Sequence, residues 1–369
     1  MKEKHIFLMF NDLGLGGIQR KMVDIANHVY KDKKYSHLKL HFILRRKTEF
    51  TFEKYLKNPS ACFHYEPKIP LETLVKLQRV CFFLYLNFLV LKYRPVAILS
   101  FLHQISFYAV LTKLVFFWAR FKVIISQDNI LSLDNKKPYA EKVHNNKLIS
   151  LYYPLADKII TQTEYAKRDL VKNYNISADK IRIIPNWVVE TKLVKKKKEY
   201  DLIYCGRFAP QKQPLRLLQA VRMVRKKKGN IRACLIGQGR TLLKIKKYIR
   251  ENNLERNVLV KPVTHNVCKQ LARAKLFVLT SDFEGQPMIL LEAMVQKAVP
   301  VVLDYPGASE YLKDEYDGYI EEDEEELVKR ILFLLANRKK RELIGKNARD
   351  TVLVKYNQDL IKKTLSLAS

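Results

Sequence analysis

Acidic residues are scarce in this chain. Asp and Glu number 37 against 68 Lys and Arg, a net charge of +31 over 369 residues. Such an excess attracts anions: nucleic acid, anionic lipid headgroups or phosphorylated substrates. No nucleic-acid recognition module is present and the basic runs are scattered, so an anionic membrane surface is the preferred partner and nucleic acid is not expected. Cysteine pairs are missing as well. Cys62, Cys81, Cys205, Cys234 and Cys268 lie far apart with no Cys-x-x-Cys spacing, which reads as reduced core thiols of a cytosolic protein. Long apolar runs are absent. The run in residues 78–93 is shorter than the ~20 residues of a spanning helix and is interrupted by Asn87. That in 107–118 is interrupted by Lys113 and ends before Arg120. At the start, Lys2, Glu3 and Lys4 precede an apolar run too short for a signal-peptide core. No repeat or low-complexity tract interrupts the order.

Glycine is also short, 11 in all, yet Gly14, Gly16 and Gly17 fall within a few residues of one another. Residues 5–10 before them read as a buried strand. After them a helix carries Met22, Val23, Ile25, Ala26 and Val29. Strand, glycine turn and helix together bring backbone N–H groups onto a phosphate. Gln19, however, stands where a dinucleotide fingerprint has its third glycine. The next strand, Leu38 to Leu44, ends in Arg45 and Arg46 with no acid for a ribose. A nicotinamide or flavin dinucleotide is therefore not expected, nor any other cofactor.

What is there is centred on Ser281 to Met294. An apolar strand, Lys275 to Thr280, runs into it. Gly285 gives a tight turn, and Pro287 suits the first turn of a helix. Ile289 to Val295 reads as that helix and Ala298 to Leu303 as the next buried strand. Glu284 falls in the loop at the strand's carboxyl end, and Glu292 two turns into the helix. Free N–H groups at the helix start favour a phosphate, so the segment from Gly285 through Gln286 and Pro287, which has no N–H of its own, to Met288 is a candidate donor-binding surface. Carboxylates accept strongly from sugar or ribose hydroxyls. The combination suits a nucleotide sugar.

This segment resembles the E-x7-E motif of glycosyltransferase family 4, a large retaining family with the GT-B fold. The resemblance implies that Glu284 contacts the donor sugar and Glu292 the ribose. Four other stretches resemble the family. The Gly16-Gly17 turn looks like its N-terminal loop over the donor diphosphate. Gly206-Arg207, followed by Lys212, looks like its Gly-Arg…Lys motif, in which both cations hold the diphosphate as leaving group. Gly237-Gln238-Gly239 matches its glycine turn near the nucleotide, and Val263 and Thr264 lie where its backbone approaches the base. Asp128, after the strand Lys122 to Ser126, stands where the family often has a His near the acceptor. It is a candidate base or orienting group, with His103 a weaker candidate for the acceptor side. The acidic run Glu321 to Glu326 reads as the opening of a helix, Leu327 to Ala336, and no metal site is expected.

Alternating strands and helices, with glycine loops at strand ends in both halves, argue for an α/β chain of two doubly wound domains. The resemblance implies Rossmann-like domains facing across a cleft. The first would span 1–186, with a C-terminal helix at about 350–369 packing back on it. The second would span 187–349 and hold the donor. The implied activity is retaining, metal-independent hexosyl transfer from a UDP or GDP sugar. The acceptor would be a lipid-linked or lipopolysaccharide-type glycan at the inner face of a bacterial cytoplasmic membrane, with the protein peripheral there. A nucleotide-sugar 2-epimerase of the same architecture and a non-catalytic basic anion-binding protein are the alternatives.

Overall fold

The structure is a computed structural model that describes residues 3–48, 51–67, 75–136 and 146–368. Lys2, flanking the first apolar run, and Ser369, at the end of the expected last helix, lie outside these. In chain order the first elements are β1 Lys4–Phe10, α1 Gly17–Lys31, β2 Leu38–Leu44, β3 Cys62–Tyr65, α2 Val75–Tyr93 and β4 Ala97–Phe101. Next come α3 His103–Val115, β5 Lys122–Ser126, α4 Leu131–Asp134, α5 Asn146–Tyr152, β6 Lys158–Thr161, α6 Glu164–Tyr174 and β7 Ile181–Ile183. The second half runs β8 Tyr200–Cys205, α7 Pro214–Lys228, β9 Ala233–Ile236, α8 Leu242–Glu251, β10 Val258–Lys261, α9 Val267–Ala272 and β11 Ala274–Leu279. It closes with α10 Met288–Val295, β12 Val299–Leu303, β13 Tyr319–Glu321, α11 Glu324–Ala336, α12 Arg338–Lys355 and α13 Asp359–Ala368.

Two compact units result. One comprises Met1–Ser132, Lys142–Pro185 and Asp359–Ser369, the other Leu133–Glu141 and Asn186–Gln358. The first unit holds a parallel sheet in the order β3-β2-β1-β4-β5-β6-β7. Its core gathers Phe7, Met9, Ile98, Val123 and Ile125 from the strands and Phe82, Leu86 and Ile105 from the helices. The second unit holds a parallel sheet in the order β10-β9-β8-β11-β12-β13, with Leu202, Tyr204, Leu276, Val301 and Ile331 in its core. Parallel strands covered on both faces must be apolar throughout, and β4 and β12 are buried at every position. In each sheet the direction of strand addition reverses once, between β1 and β4 and between β8 and β11. Such reversals open a crevice at the carboxyl ends of the strands, where α/β sheets bind ligands.

The structure departs from the expected elements in four places. The edge strand β3 has no counterpart in the apolar pattern. Helix α3 stops at Val115, so Phe116 to Trp118 lie beyond it. The expected single helix at 350–369 is two, α12 and α13, separated at Tyr356, where the backbone leaves helical geometry (φ −119°, ψ 41°). Asp323 starts α11 three residues earlier than expected by accepting from the backbone N–H groups of Glu325 and Glu326 at 2.8 and 2.9 Å, a side-chain cap of the usual kind.

Three imidazoles cross the edge of the first sheet in a chain. His5 Nδ1 lies 2.9 Å from His41 Nε2, and His41 Nδ1 lies 2.9 Å from His64 Nε2. His41 is fully buried. Burial first, then the neighbouring histidines and Lys39, lower its pKa to about 3. Since the folded pKa lies below the unfolded value near 6.5, the unfolded chain takes up the proton first as pH falls. Stability is therefore constant above about pH 6.5 and is lost below it. His41 alone makes the chain about 2 kcal/mol less stable at pH 5 than at pH 7.5. Urea denaturation at the two pH values measures this, and His41→Phe shrinks the difference.

Candidate functional site

In the second unit the residues singled out from the sequence cluster at the reversal point. Gly206 follows β8, and Arg207, beside it, is exposed. Its guanidinium makes no ion pair among the described residues. The loop then makes a short turn, Pro210–Lys212, and enters α7 through Gln213, whose φ of 45° is left-handed. Glu284 sits in the loop after β11, the strand beside β8. Lys212 Nζ reaches both its oxygens, at 2.5 and 2.6 Å, and Ser281 Oγ donates to Oε1 at 2.6 Å. Glu284 is buried. The charged pair is thus largely withdrawn from water, which strengthens its attraction and makes each partner costly to remove.

Backbone and amide bonds fix the two loops to one another. Asp282 N–H donates to Gln211 O at 2.9 Å, and Gln211 Nε2 donates to Phe283 O at 2.8 Å. The Asp282 carboxylate accepts from Gln213 Nε2 at 2.8 Å and from Arg216 Nη1 at 2.9 Å. Behind Glu284 lie the tyrosines Tyr204, Tyr305 and Tyr311, the last two joined hydroxyl to hydroxyl at 2.6 Å. Burial and then the Glu284 charge raise the pKa values of Tyr204 and Tyr305, so both stay neutral. Glu292 lies on α10. Burial, then Cys234 and then the Glu292 charge, raise the pKa of the Cys205 thiol at the end of β8.

Gly237 and Gly239 follow β9. A Cβ on Gly237 would lie 2.0 Å from Gly206 O, and one on Gly239, at φ +146°, 2.5 Å from Phe208 O. The loops after β8 and β9 therefore pack backbone on backbone, which only glycine permits. Val263 is half-buried just after β10, next to β9 in the sheet. Gly285, Pro287 and Met288 are buried at the start of α10, with Pro287 as its cap residue. Gln286 is engaged elsewhere. Its Oε1 accepts from Asn186 N–H at 2.6 Å, and its backbone carbonyl accepts from Asn186 Nδ2 at 2.6 Å. Its side chain anchors the segment entering this unit.

In the first unit the Gly14–Gly17 turn caps α1 through Gly16, with no side-chain cap. Asp12 closes the turn, accepting from Gly14 N–H and Gln19 Nε2, each at 3.0 Å. Asp128, after β5, forms an ion pair with Lys21 of α1. It also accepts from Ser126 Oγ at 2.9 Å and Gln162 Nε2 at 3.0 Å. Three donors from three different elements thus fix the position of this carboxylate. His103 opens α3 after Leu102, a non-glycine residue at φ 63°. The sequence reading missed Lys21, Ser281, Tyr305 and Tyr311. Lys21 alone left a signal, a cation beside Met22 and Val23 on the buried side of α1.

Two family models match the chain, "Glycosyl transferases group 1" over residues 186–351 and "Glycosyltransferase Family 4" over 41–192. The chain is 30% identical over 214 residues to a poly(ribitol-phosphate) alpha-N-acetylglucosaminyltransferase of Staphylococcus aureus, covering 57% of this chain and 43% of that protein. It is 27% identical over 258 residues to an N-acetylgalactosamine-N,N'-diacetylbacillosaminyl-diphospho-undecaprenol 4-alpha-N-acetylgalactosaminyltransferase of Campylobacter jejuni, covering 66% of this chain and 69% of that one. The match thus spans less than half of the first relative's length. Among solved structures, Alr3699/HepE of Anabaena in complex with UDP and glucose superposes with a TM-score of 0.81 at 15% identity, over 99% of each chain. At that identity the likeness shows the fold.

Lys212→Met leaves the Glu284 carboxylate buried with Ser281 as its remaining charge-stabilising donor among the described contacts. The expected loss is at the low end of the roughly 3–5 kcal/mol for breaking a buried pair, because Lys212 is 16% exposed. Adding Glu284→Gln recovers most of it. Urea denaturation of the single and double variants measures both, and a double variant no more stable than Lys212→Met would contradict the pairing.

Proposed function

The chain belongs to the group 1, family 4 glycosyltransferases, and from that premise we propose that it transfers a hexose-type sugar, with retention, from a nucleotide-diphosphate sugar to a lipid-linked or polymeric glycan of the bacterial cell envelope. The observation that carries the reading is the Lys212–Glu284 pair at the strand reversal of the second unit, with Arg207 exposed on the loop that leads to Lys212. An arriving diphosphate competes with Glu284 for Lys212 and finds the exposed Arg207 as a second cation. Both offset charge that grows as the bond from the anomeric carbon to the diphosphate oxygen breaks. The acceptor hydroxyl oxygen forms the new bond, and its proton passes to a donor phosphate oxygen. No metal has a role in this scheme. Glu284, partly released from Lys212, accepts from sugar hydroxyls, and Glu292 accepts from the ribose.

UDP is the favoured nucleotide over GDP, in line with the UDP held by the Anabaena protein. Retention is supported by the names of both relatives as alpha-transferases. Gly206, Gly237, Gly239 and the α10 start from Gly285 to Met288 form the remaining donor surface, with Val263 toward the base. Gly16 and Gly17 offer an anion-binding turn in the first unit. Asp128, held by Lys21, is proposed to orient the acceptor hydroxyl rather than to act as base. The undecaprenol named for the Campylobacter relative fits a lipid carrier at the inner membrane face.

Arg207→Ala and Lys212→Ala are each expected to lower kcat about 10²–10³-fold, the range for removing one donor to a developing anion. A nucleotide-release assay with a short diphospholipid glycan acceptor measures this. A thermal-shift screen of UDP and GDP sugars identifies the donor. If no nucleotide sugar raises the melting temperature, the reading fails. Epimer formation from donor alone would favour a different reaction at the same site.

A further inference from the structure

Helix α2 is apolar on two opposite sides. Phe82, Leu86, Leu89 and Val90 are buried in the core of the first unit. Leu77, Val80, Leu84, Phe88 and Leu91 are exposed. Their steps of three and four residues keep them in one line along the helix. A helix apolar all round normally lies inside a protein or in lipid, and a large exposed apolar face marks an interaction site. Further exposed apolar side chains follow the neighbouring helix. Helix α3 packs against α2 through Phe82 and Tyr108, edge to face at 5.1 Å. Just past its end Phe117 is 82% and Trp118 64% exposed, with their rings edge to face at 5.0 Å. The β3–α2–β4 and β4–α3–β5 crossovers advance in the same direction across the sheet, so right-handed connection puts both helices on one face.

Charge identifies the occupant. From Thr73 to Gln127 the sequence has seven Lys and Arg and no Asp or Glu. A second copy of the chain docking on the same face would set this cation-only stretch against itself, which like charges oppose. Anionic lipid headgroups complement it. No helix of the described residues is long and apolar enough to cross a membrane, so the geometry is that of a helix lying in the interface plane.

We propose that α2 seats the first unit on an anionic bilayer. Leu84 and Phe88 enter below the headgroups, Trp118 sits at headgroup level as aromatic anchors do, and the exposed cations on and just after α2, Arg79, Lys92 and Arg94, lie on lipid phosphates, whereas Lys113 is paired with Asp157. This rests on the acceptor class proposed above for its purpose and names the partner through which a lipid-carried acceptor meets the enzyme.

The chain has two tryptophans, and Trp187 is already buried. A blue shift of emission on adding vesicles therefore reports Trp118. The full chain is mixed with phosphatidylglycerol or phosphatidylcholine vesicles, floated, and followed by fluorescence. Expected are flotation with phosphatidylglycerol only, weakening with salt, and a blue shift that Trp118→Phe abolishes. The pair Leu84→Ser with Phe88→Ser is expected to weaken vesicle binding at least tenfold while the nucleotide-sugar thermal shift stays intact, which shows that the variant is folded. Wild-type-like vesicle binding by the pair, or flotation without an emission shift, overturns the proposal. A wild-type dimer that the pair makes monomeric, with no vesicle binding by either, also overturns it. Vesicle binding without any nucleotide-sugar shift strikes the transfer reading alone.

Discussion

One ion pair organises the candidate site. Lys212 and Glu284 lie 72 residues apart in the chain, and each belongs to a loop that would otherwise be free to move. Their contact is possible because β8 and β11 are neighbours in a parallel sheet whose order reverses between them. Around it the Asp282, Gln211 and Gln213 bonds fix the geometry before any ligand arrives. The cost of transferring two charges out of water is met locally, by Ser281 on the carboxylate and by the partial exposure of Lys212. The same arrangement makes the pair responsive. An anion with more charge than one carboxylate would compete with Glu284 for Lys212, and the diphosphate proposed above is such an anion.

The two units share one sheet topology but differ in the side chains at the point of strand reversal. In the second, the reversal point gathers exposed or exchangeable cations. In the first, the equivalent position is more self-contained: Lys21 is spent on Asp128, and the glycine turn is tied down by Asp12 and Gln19. That difference follows from side chains rather than topology, since both sheets share the order in which strands are added on either side of the first one. The proposed assignment of the leaving group to the second unit and of the acceptor hydroxyl to the first rests on this difference.

Much of this was legible from the sequence, for physical reasons. The ranges read for β2 and β5 coincide with the observed strands because each is dominated by aliphatic and aromatic residues and is buried at all but one position. The contact of Lys212 with Glu284 was within reach because both were placed at the carboxyl ends of strands. Edge strand β3 was not legible: its four residues are all half-buried, and His64 interrupts any apolar pattern. Long-range polar pairing was equally hidden. Nothing local to Asp128 announces Lys21, 107 residues away. Nothing near Gln286 shows that Asn186 claims its amide rather than a ligand. Tyr305 and Tyr311 read as ordinary core aromatics until Glu284 is placed beside them.

Helix α13 belongs by packing to the first unit although it ends the described chain. Leu360, Ile361 and Leu365 are buried, and the helix contacts α1, β4 and β5. During synthesis the first unit therefore emerges lacking part of its core, whereas the second has all of its strands before α13 leaves the ribosome. Closing the first unit demands a contact between α1 and a segment more than 300 positions later, an entropically slow step. The carboxyl-proximal sheet is thus placed to mature ahead of the amino-proximal one, and the apolar surface awaiting α13 is the part of the nascent chain most exposed to misassociation.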